Sequence, residues 1–98
     1  MTINEALSTQ AQYHLIIQGT VQGVFFRKSS LEIATQLNLH GWINNNKNKT
    51  VSLLIRGKKE NCKKMIKWCH KGPPQAKVSN VIIRKEHPNY PQNTFIIK

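Results

Sequence analysis

Acidic side chains are scarce in this chain of 98 residues, and aspartate is absent altogether. The four glutamates are scattered along the sequence: Glu5, Glu32, Glu60 and Glu86. A glycosidase needs two facing carboxylates, magnesium sites usually need one or two, and a serine triad needs an acidic partner for its histidine. The composition therefore favours a chemistry that needs no carboxylate, no covalent nucleophile, no metal and no cofactor.

Long apolar runs are also lacking. No stretch approaches the length of a membrane span, and the N-terminus has no apolar core of the signal-peptide type. The sequence therefore predicts a cytoplasmic protein with no membrane partner. Only two cysteines occur, Cys62 and Cys69, seven residues apart on the apolar side of a predicted helix. This spacing suits two buried, inert thiols better than a zinc half-site.

Basic residues are abundant by contrast. Fifteen lysines and arginines give a formal net charge of +11. Such a charge attracts either polyanions or small anionic substrates, and charge alone does not separate the two. Many of the lysines flank the apolar positions of one predicted helix, so they form its solvated outer face: Lys58, Lys59, Lys63, Lys64, Lys67 and Lys71.

The length fits one small domain. Residues 1–11 are polar with isolated apolar positions and predict a flexible N-terminal extension, so the domain spans 12–98. Hydrophobic periodicity and turn residues predict strands at 13–18, 41–45, 50–56, 76–84 and 94–97, and helices at 26–38 and 59–70. This βαββαβ order with an added edge strand predicts an α+β sandwich, with a four-to-five-stranded antiparallel sheet and both helices on one face.

The segment from Gly19 to Arg27 is the most informative motif. Two glycines in five residues, Gly19 and Gly23, predict a tight loop between the first strand and the first helix. Backbone N–H groups that converge at a helix N-terminus bind anions such as phosphate. Arg27 in the first helical turn opposes the helix dipole, and a bound anion would remove that penalty. The plainer alternative is a tight turn followed by a surface arginine.

The second motif is the strand from Gly41 to Asn45. Alternation places Gly41, Ile43 and Asn45 on one face of the strand, and Trp42 is expected in the core. A carboxamide both donates to and accepts from water, so Asn45 can orient a nucleophilic water without taking its proton. Turn formation is the alternative role for this asparagine.

Together these two motifs resemble those of the acylphosphatases, small enzymes with a ferredoxin-like fold that hydrolyse the carboxyl–phosphate bond of acyl phosphates. The likeness extends from about Tyr13 to Lys98. It implies that the phosphate is wrapped by a loop and bound by Arg27, while Asn45 holds the attacking water. The loop residues implied in phosphate binding are Gly19, Thr20, Val21, Gln22, Gly23 and Val24.

The resemblance also implies an acyl phosphate as the small-molecule substrate, and inorganic phosphate as product and competitive inhibitor. It implies a metal-independent hydrolase that acts on a mixed carboxylic–phosphoric anhydride, and a monomer is expected. One departure is the hairpin after Asn45, where a glycine is common and Lys49 stands instead. The preceding Asn48 is expected to adopt the positive φ there.

Two other functions share parts of this pattern. A basic βαββαβ domain is also the outline of an RNA-recognition module, but the strand at 50–56 has no aromatic residue for base stacking, so nucleic acid is not expected as a partner. A related domain handles carbamoyl phosphate within larger hydrogenase-maturation proteins. This chain is much shorter than that machinery, so a free-standing enzyme is the expectation.

Overall fold

A computed structural model describes residues 10–98. The elements, in chain order, are β1 (Gln10–Thr20), α1 (Phe26–Gln36), β2 (His40–Asn45), β3 (Val51–Lys58), α2 (Lys59–Lys71), β4 (Lys77–Glu86) and β5 (Phe95–Ile97). The predicted βαββαβ order with a short final strand is confirmed. Neither of these two helices is long and apolar enough to cross a membrane.

The five strands form one sheet in the order β4-β1-β3-β2-β5. Neighbours among the first four strands pair antiparallel, as predicted. The fifth differs, since β5 pairs parallel with β2, and the sheet is therefore mixed. The reason is the connection: β4 lies at one edge, and residues 87–94 carry the chain across to the opposite edge, so that it enters β5 in the direction of β2.

One face of the sheet carries the core. Alternate residues of the central strands are fully buried, among them Leu15, Ile17, Ile43, Leu53 and Ile55. Both helices pack their apolar sides on this face, through Phe26, Ser30 and Ala34 of α1 and Cys62, Met65 and Cys69 of α2. The predicted two-layer sandwich with both helices on one side of the sheet is confirmed.

The two cysteines are free thiols inside this core. Burial raises the pKa of Cys62 to about 11 and the pKa of Cys69 to about 12. The thiolate is the reactive form of cysteine, so both side chains stay protonated and inert at neutral pH. The prediction of two buried structural thiols is confirmed.

The first strand begins earlier than predicted. Gln10 pairs with Lys58 and Ala11 pairs with Gly57, so both residues belong to the sheet and not to the predicted extension. Ala11 is buried, and its carbonyl lies 3.8 Å from Cys62 Sγ. Gln10 and Ala11 therefore belong to β1, and Ala11 packs under α2. Residues 1–9 of the predicted extension lie outside the described part of the chain.

The hairpin between β2 and β3 uses an unexpected residue. Lys49 itself adopts φ 73°, whereas Asn48 was expected to take the positive φ. The side chain of Asn48 is used differently, because its Oδ1 accepts from the backbone N–H of Thr50 at 3.2 Å and from Thr50 Oγ1 at 2.6 Å. Asn48 therefore holds the turn from its side chain, and Lys49 carries the left-handed backbone.

Residues 87–94, the crossover segment, are held by Gln12 of β1. The side chain of Gln12 is only 2% exposed. Its Nε2 donates to Glu86 Oε1 at 2.8 Å and to Asn89 Oδ1 at 3.0 Å. Its Oε1 accepts from the backbone N–H groups of Asn89 at 3.0 Å and Tyr90 at 2.9 Å. This carboxamide is therefore saturated with hydrogen bonds.

Arg56 of β3 holds the other part of the crossover segment. Its Nη2 donates to the Gln92 carbonyl at 2.9 Å and to Asn93 Oδ1 at 3.1 Å. The same nitrogen lies 3.0 Å from Nδ1 of His40 on β2. Desolvation and the Arg56 charge lower the pKa of His40, which keeps the ring neutral and able to accept this hydrogen bond.

Candidate active site

The loop between β1 and α1 leaves a run of backbone N–H groups without partners. The first hydrogen bond into the helix runs from the N–H of Ser29 to the carbonyl of Phe25, at 3.0 Å. Within residues 10–98, the N–H groups of residues 21–28 donate to no backbone carbonyl. The helix start has no side-chain cap, and its first turn has no acidic residue. Such an uncapped helix start is suited to bind an anion.

Side chains of the loop leave its backbone open to a ligand. Val21 and Val24 are buried, so they anchor the loop from below. Gly23 has φ 73°, and a Cβ at that position would meet nothing within 4 Å, which indicates open space above the loop. The loop therefore presents backbone amides, and not side chains, along this segment.

Gly19 and Thr20, which the sequence analysis placed in the phosphate loop, are the last two residues of β1. Gly19 follows a register shift in the pairing of β1 with β4, and its φ is 125°. A Cβ at Gly19 would collide with the backbone carbonyl of Lys77. Packing therefore explains the glycine at position 19, because β1 and β4 approach each other too closely there for a side chain.

Gln22 links the loop to the hairpin that follows β2. Its Nε2 donates to the carbonyls of Asn46 at 2.8 Å and Thr50 at 2.9 Å. Asn46 directly follows Asn45, so this side chain fixes the loop relative to Asn45. This link was not predicted, because the loop motif contains Gln22 but carries no information on the partner of its side chain.

Arg27 is the second residue of α1, and its side chain is exposed. Its guanidinium makes no hydrogen bond or ion pair with the described residues, and Lys28 beside it adds a second positive charge. Cations near a helix N-terminus oppose the helix dipole by roughly 0.3–1 kcal/mol each. An anion at the helix start would compensate both the dipole and these two side chains.

Asn45 is the last residue of β2, on the face that carries the core. The side chain is half-buried, and its Oδ1 is enclosed with no hydrogen-bond partner within residues 10–98. A buried acceptor without a partner is uncommon and costs about 1–3 kcal/mol. Asn45 is therefore poised to accept a hydrogen bond from a molecule that enters the site.

Trp42 is not in the core, contrary to expectation. Ile43 points to the core, so strand alternation turns Trp42 to the opposite face of the sheet. There the His14 ring lies 5.8 Å away, centroid to centroid, and Lys98 Nζ lies 4.2 Å above the indole ring. The predicted shared face of Gly41, Ile43 and Asn45 is consistent with this arrangement.

One pocket brings the two candidate catalytic residues together. Its volume is about 370 Å³, and it is lined by Val21, Gly23, Phe25, Phe26, Arg27, Lys28, Asn45 and Ile97. Four of the residues predicted for the site are among them. The other four, Gly19, Thr20, Gln22 and Val24, belong to the same loop region but do not line the pocket.

The chemistry of this lining is cationic and apolar. It contains no glutamate, histidine or cysteine. Across residues 10–98, no group of three or more histidine, cysteine or acidic side chains is arranged to hold a metal ion. The donors present are backbone N–H groups, a guanidinium, an ammonium group and a carboxamide, a set suited to an oxyanion and a water molecule.

Comparison with known proteins agrees with this chemistry. The acylphosphatase family model matches residues 13–97. An acylphosphatase of Pelotomaculum thermopropionicum is 41% identical over 73 residues, which cover 74% of this chain and 79% of that protein. The solved structure of an acylphosphatase from Coxiella burnetii is similar over 100% of both chains, with a TM-score of 0.89 and 34% identity. The acylphosphatase from Bacillus subtilis has a TM-score of 0.87 and 27% identity, over 90% of this chain and 98% of that chain.

Proposed function

This chain belongs to the acylphosphatase family, and we propose that the pocket between α1 and the end of β2 is its active site. The protein is an enzyme that hydrolyses acyl phosphates to a carboxylate and inorganic phosphate. In the proposed site, the loop from Gly19 to Val24 and the side chain of Arg27 bind the phosphoryl group. Asn45 positions the water that attacks it.

The observation that carries this assignment is a set of polar groups without partners in one place. The N–H groups of residues 21–28 and the guanidinium of Arg27 make no hydrogen bond to the backbone of the described chain, and Asn45 Oδ1 is enclosed without a donor. The first N–H groups of a helix have no intrahelical partner, and a buried acceptor such as Asn45 Oδ1 is normally satisfied. A phosphoryl group would offer acceptors to the loop N–H groups and to Arg27, and a water molecule would offer a donor to Asn45 Oδ1.

Phosphoryl transfer needs mainly positioning and charge stabilisation. The transferring group carries its negative charge on three oxygens as the bond to the acyl oxygen lengthens. Backbone N–H groups and a guanidinium fixed before the reaction stabilise that charge without reorganisation in the transition state. Arg27 contributes the full positive charge, and the loop amides contribute directional hydrogen bonds.

Asn45 supplies the orientation of the nucleophile. Its Oδ1 accepts one hydrogen bond from water, which leaves an oxygen lone pair free to attack phosphorus. The new bond forms between the water oxygen and phosphorus, and the bond between phosphorus and the acyl oxygen breaks with its electron pair on the carboxylate. Asn45 itself gains and loses no proton.

The proton balance fits a pocket without a carboxylate or an imidazole. A carboxylate is a good leaving group, so the departing acyl oxygen needs little help from a general acid. A phosphoryl oxygen of the substrate can accept the proton that the water releases. The reaction is therefore complete with groups that the pocket and the substrate already contain.

The test is hydrolysis of benzoyl phosphate in the presence of chelator, with inorganic phosphate as a competitor. We expect turnover in the wild type that survives chelation and is inhibited competitively by phosphate. Asn45→Ala should lower kcat by about 10²–10⁴-fold, since it removes the group that orients the reacting water. The inhibition constant of phosphate should change little.

Asn44→Ala is the matched control, because Asn44 is the preceding carboxamide of β2 and points to the opposite face of the strand. It should retain turnover close to the wild type. High residual activity in Asn45→Ala would show that another group holds the water. Loss of phosphate inhibition in Asn45→Ala would show that this residue binds the phosphoryl group instead.

We propose further that the protein works as a monomer in the cytoplasm and takes no nucleic-acid partner. The net charge of +11 opposes association between copies, and free thiols are typical of reducing compartments. Light scattering on the purified protein should give the mass of one chain. A concentration-dependent increase to twice that mass would contradict the monomer.

A further inference from the structure

The pocket has an apolar side that phosphate binding and water positioning do not use. Phe25 and Ile97 line it and are 66% and 40% exposed. The pocket volume of about 370 Å³ falls within the range of about 300–1,000 Å³ that is typical of sites for whole small organic ligands. The cavity therefore has room for the acyl group of a substrate beside the phosphoryl group.

The backbone of Phe25 is unusual for an aromatic residue. It precedes the first residue of α1 with φ 63° and ψ 21°, in the left-handed region that bulky residues rarely adopt. The same loop places a glycine at its other left-handed position, Gly23, with φ 73°. A glycine or asparagine at position 25 would be less strained, and the exposed ring adds nothing to the core. Both features favour the interpretation that this ring contacts a bound ligand.

Ile97 reaches the same pocket from a different element. It is the last residue of β5, which pairs in parallel with β2, so it lies beside the strand that ends at Asn45. The neighbouring residue Ile96 is 45% exposed but does not line the pocket. Apolar side chains from the loop and from β5 therefore line the same pocket as Arg27 and Asn45.

The charges around the pocket restrict the acyl group further. Arg27 and Lys28 are the charged residues of its lining, and a cationic acyl group would be repelled by both. Phe25 and Ile97 offer contact area and no hydrogen bonds, which favours an uncharged, apolar group. An acyl group with its own carboxylate would instead depend on Lys28.

We propose that Phe25 and Ile97 form the acyl-binding side of the active site, and that these two side chains determine how strongly the enzyme discriminates a bulky apolar acyl group from a small one. The proposal rests on the proposed function of the same pocket. Phe25 and Ile97 determine specificity in it, while Arg27 and Asn45 carry out the chemistry.

The experiment compares kcat/KM for benzoyl phosphate and acetyl phosphate, which differ in the size of the apolar group. The wild type should prefer benzoyl phosphate. Phe25→Asn removes the ring and keeps a residue that tolerates positive φ, and it should lower the benzoyl-to-acetyl ratio about tenfold, a size typical of lost apolar contact with a substrate. Ile97→Ala should lower the same ratio several-fold.

Two matched variants separate contact with the acyl group from damage to the loop or the strand. Phe25→Tyr keeps the ring and should keep the ratio, and Ile96→Ala removes the same side chain one position earlier in β5 and should also keep it. An equal loss on both substrates in Phe25→Asn, or an unchanged ratio, would overturn the proposal. Faster hydrolysis of succinyl phosphate than of benzoyl phosphate, lost in Lys28→Gln, would also overturn it.

If the proposed function itself is wrong, the same experiment gives a different result. In that case the wild type hydrolyses neither substrate, or inorganic phosphate does not compete with them. If both substrates are hydrolysed and Asn45→Ala is inactive, the catalytic site is right, and the ratios alone decide whether Phe25 and Ile97 select the acyl group.

Discussion

The two ends of the sheet use the same two kinds of polar side chain in opposite ways. At the crossover end, Gln12 is buried and makes four hydrogen bonds, and Arg56 Nη2 has three partners. At the pocket end, Asn45 Oδ1 has no donor within residues 10–98, and Arg27 is exposed without a partner there. An amide and an arginine hold the chain together at one end, and at the other they are free for a ligand.

The difference shows that hydrogen-bond partners, and not residue type, distinguish these two pairs of side chains. A buried polar group without a partner costs about 1–3 kcal/mol, so the pocket end is less stable than it would be with a ligand bound. Arg56 is not fully satisfied either, since its Nε is buried without a partner in the described chain. Arg56 does not line the pocket that contains Arg27 and Asn45, so this unpaired nitrogen is a local cost in stability.

Among the variants that compare the two ends of the sheet, removal of each arginine in turn should have the largest effect. Arg27→Ala should cut turnover by about 10²–10³-fold, the loss typical when one oxyanion-stabilising group is removed. Arg56→Ala should leave turnover close to the wild type but lower the free energy of unfolding by about 1–3 kcal/mol, because it frees the carbonyl and amide acceptors of the crossover segment. Assays of kcat/KM and urea unfolding of both variants measure this contrast.

Stabilisation by bound phosphate gives a second comparison of the two arginines. A ligand that binds only the folded state, present at 100 times its Kd, should stabilise the wild type by about 2.7 kcal/mol. The Arg56→Ala protein should gain as much at the same saturation, while Arg27→Ala should gain far less at the same phosphate concentration. Equal stabilisation of Arg27→Ala and the wild type would show that Arg27 does not bind phosphate.

The next effect is on stability alone. Gln12→Ala should lower the free energy of unfolding by about 3 kcal/mol, since it leaves two backbone N–H groups of the crossover segment and two side chains without their partner. Gln18→Ala is the control in the same strand: Gln18 accepts one exposed hydrogen bond from Asn80, and its loss should cost at most about 0.5 kcal/mol. A similar loss in the free energy of unfolding for both variants would show that the buried hydrogen bonds of Gln12 do not contribute to stability.

The sequence predicts the pocket end better than the crossover end. The loop from Gly19 to Arg27 is a local pattern, and strand alternation is enough to put Asn45 on the core face. The partners of Gln12 lie 74 to 78 residues away, so no local pattern contains them. For the same reason, the parallel pairing of β5 follows from the sheet as a whole and was not foreseen. The outward position of Trp42 follows from the same alternation that places Ile43 and Asn45 on the core face, and it was missed because a tryptophan was expected to pack in the core.

A smaller effect is expected at the link between the two motifs. Gln22→Ala should lower kcat about tenfold, because the loop and the hairpin beside Asn45 are no longer fixed to each other, and small errors in alignment slow the reaction. Gln22→Glu has the same shape but cannot donate to the two carbonyls, so it should behave like Gln22→Ala. If either variant keeps the kcat of the wild type, the link is not needed for positioning.

The smallest effect is a pH dependence at the crossover end. The pKa of His40 is lowered in the folded protein by desolvation and by Arg56, so the unfolded chain binds a proton at His40 more readily than the folded chain does. The stabilisation from neutral His40 is therefore fully present above the ordinary pKa of about 6.5 and is lost as the pH falls through the lower folded value.

His40→Asn tests this, because an asparagine can offer its Oδ1 to Arg56 in place of Nδ1 and does not titrate. Between pH 7 and pH 5, the free energy of unfolding of the wild type should fall more than that of His40→Asn, and the difference between the two proteins isolates His40 from all other titrating groups. The effect should be small and confined to stability, since His40 does not line the pocket that contains Arg27 and Asn45. Parallel pH profiles for the two proteins would show that the contact between His40 and Arg56 does not contribute to stability.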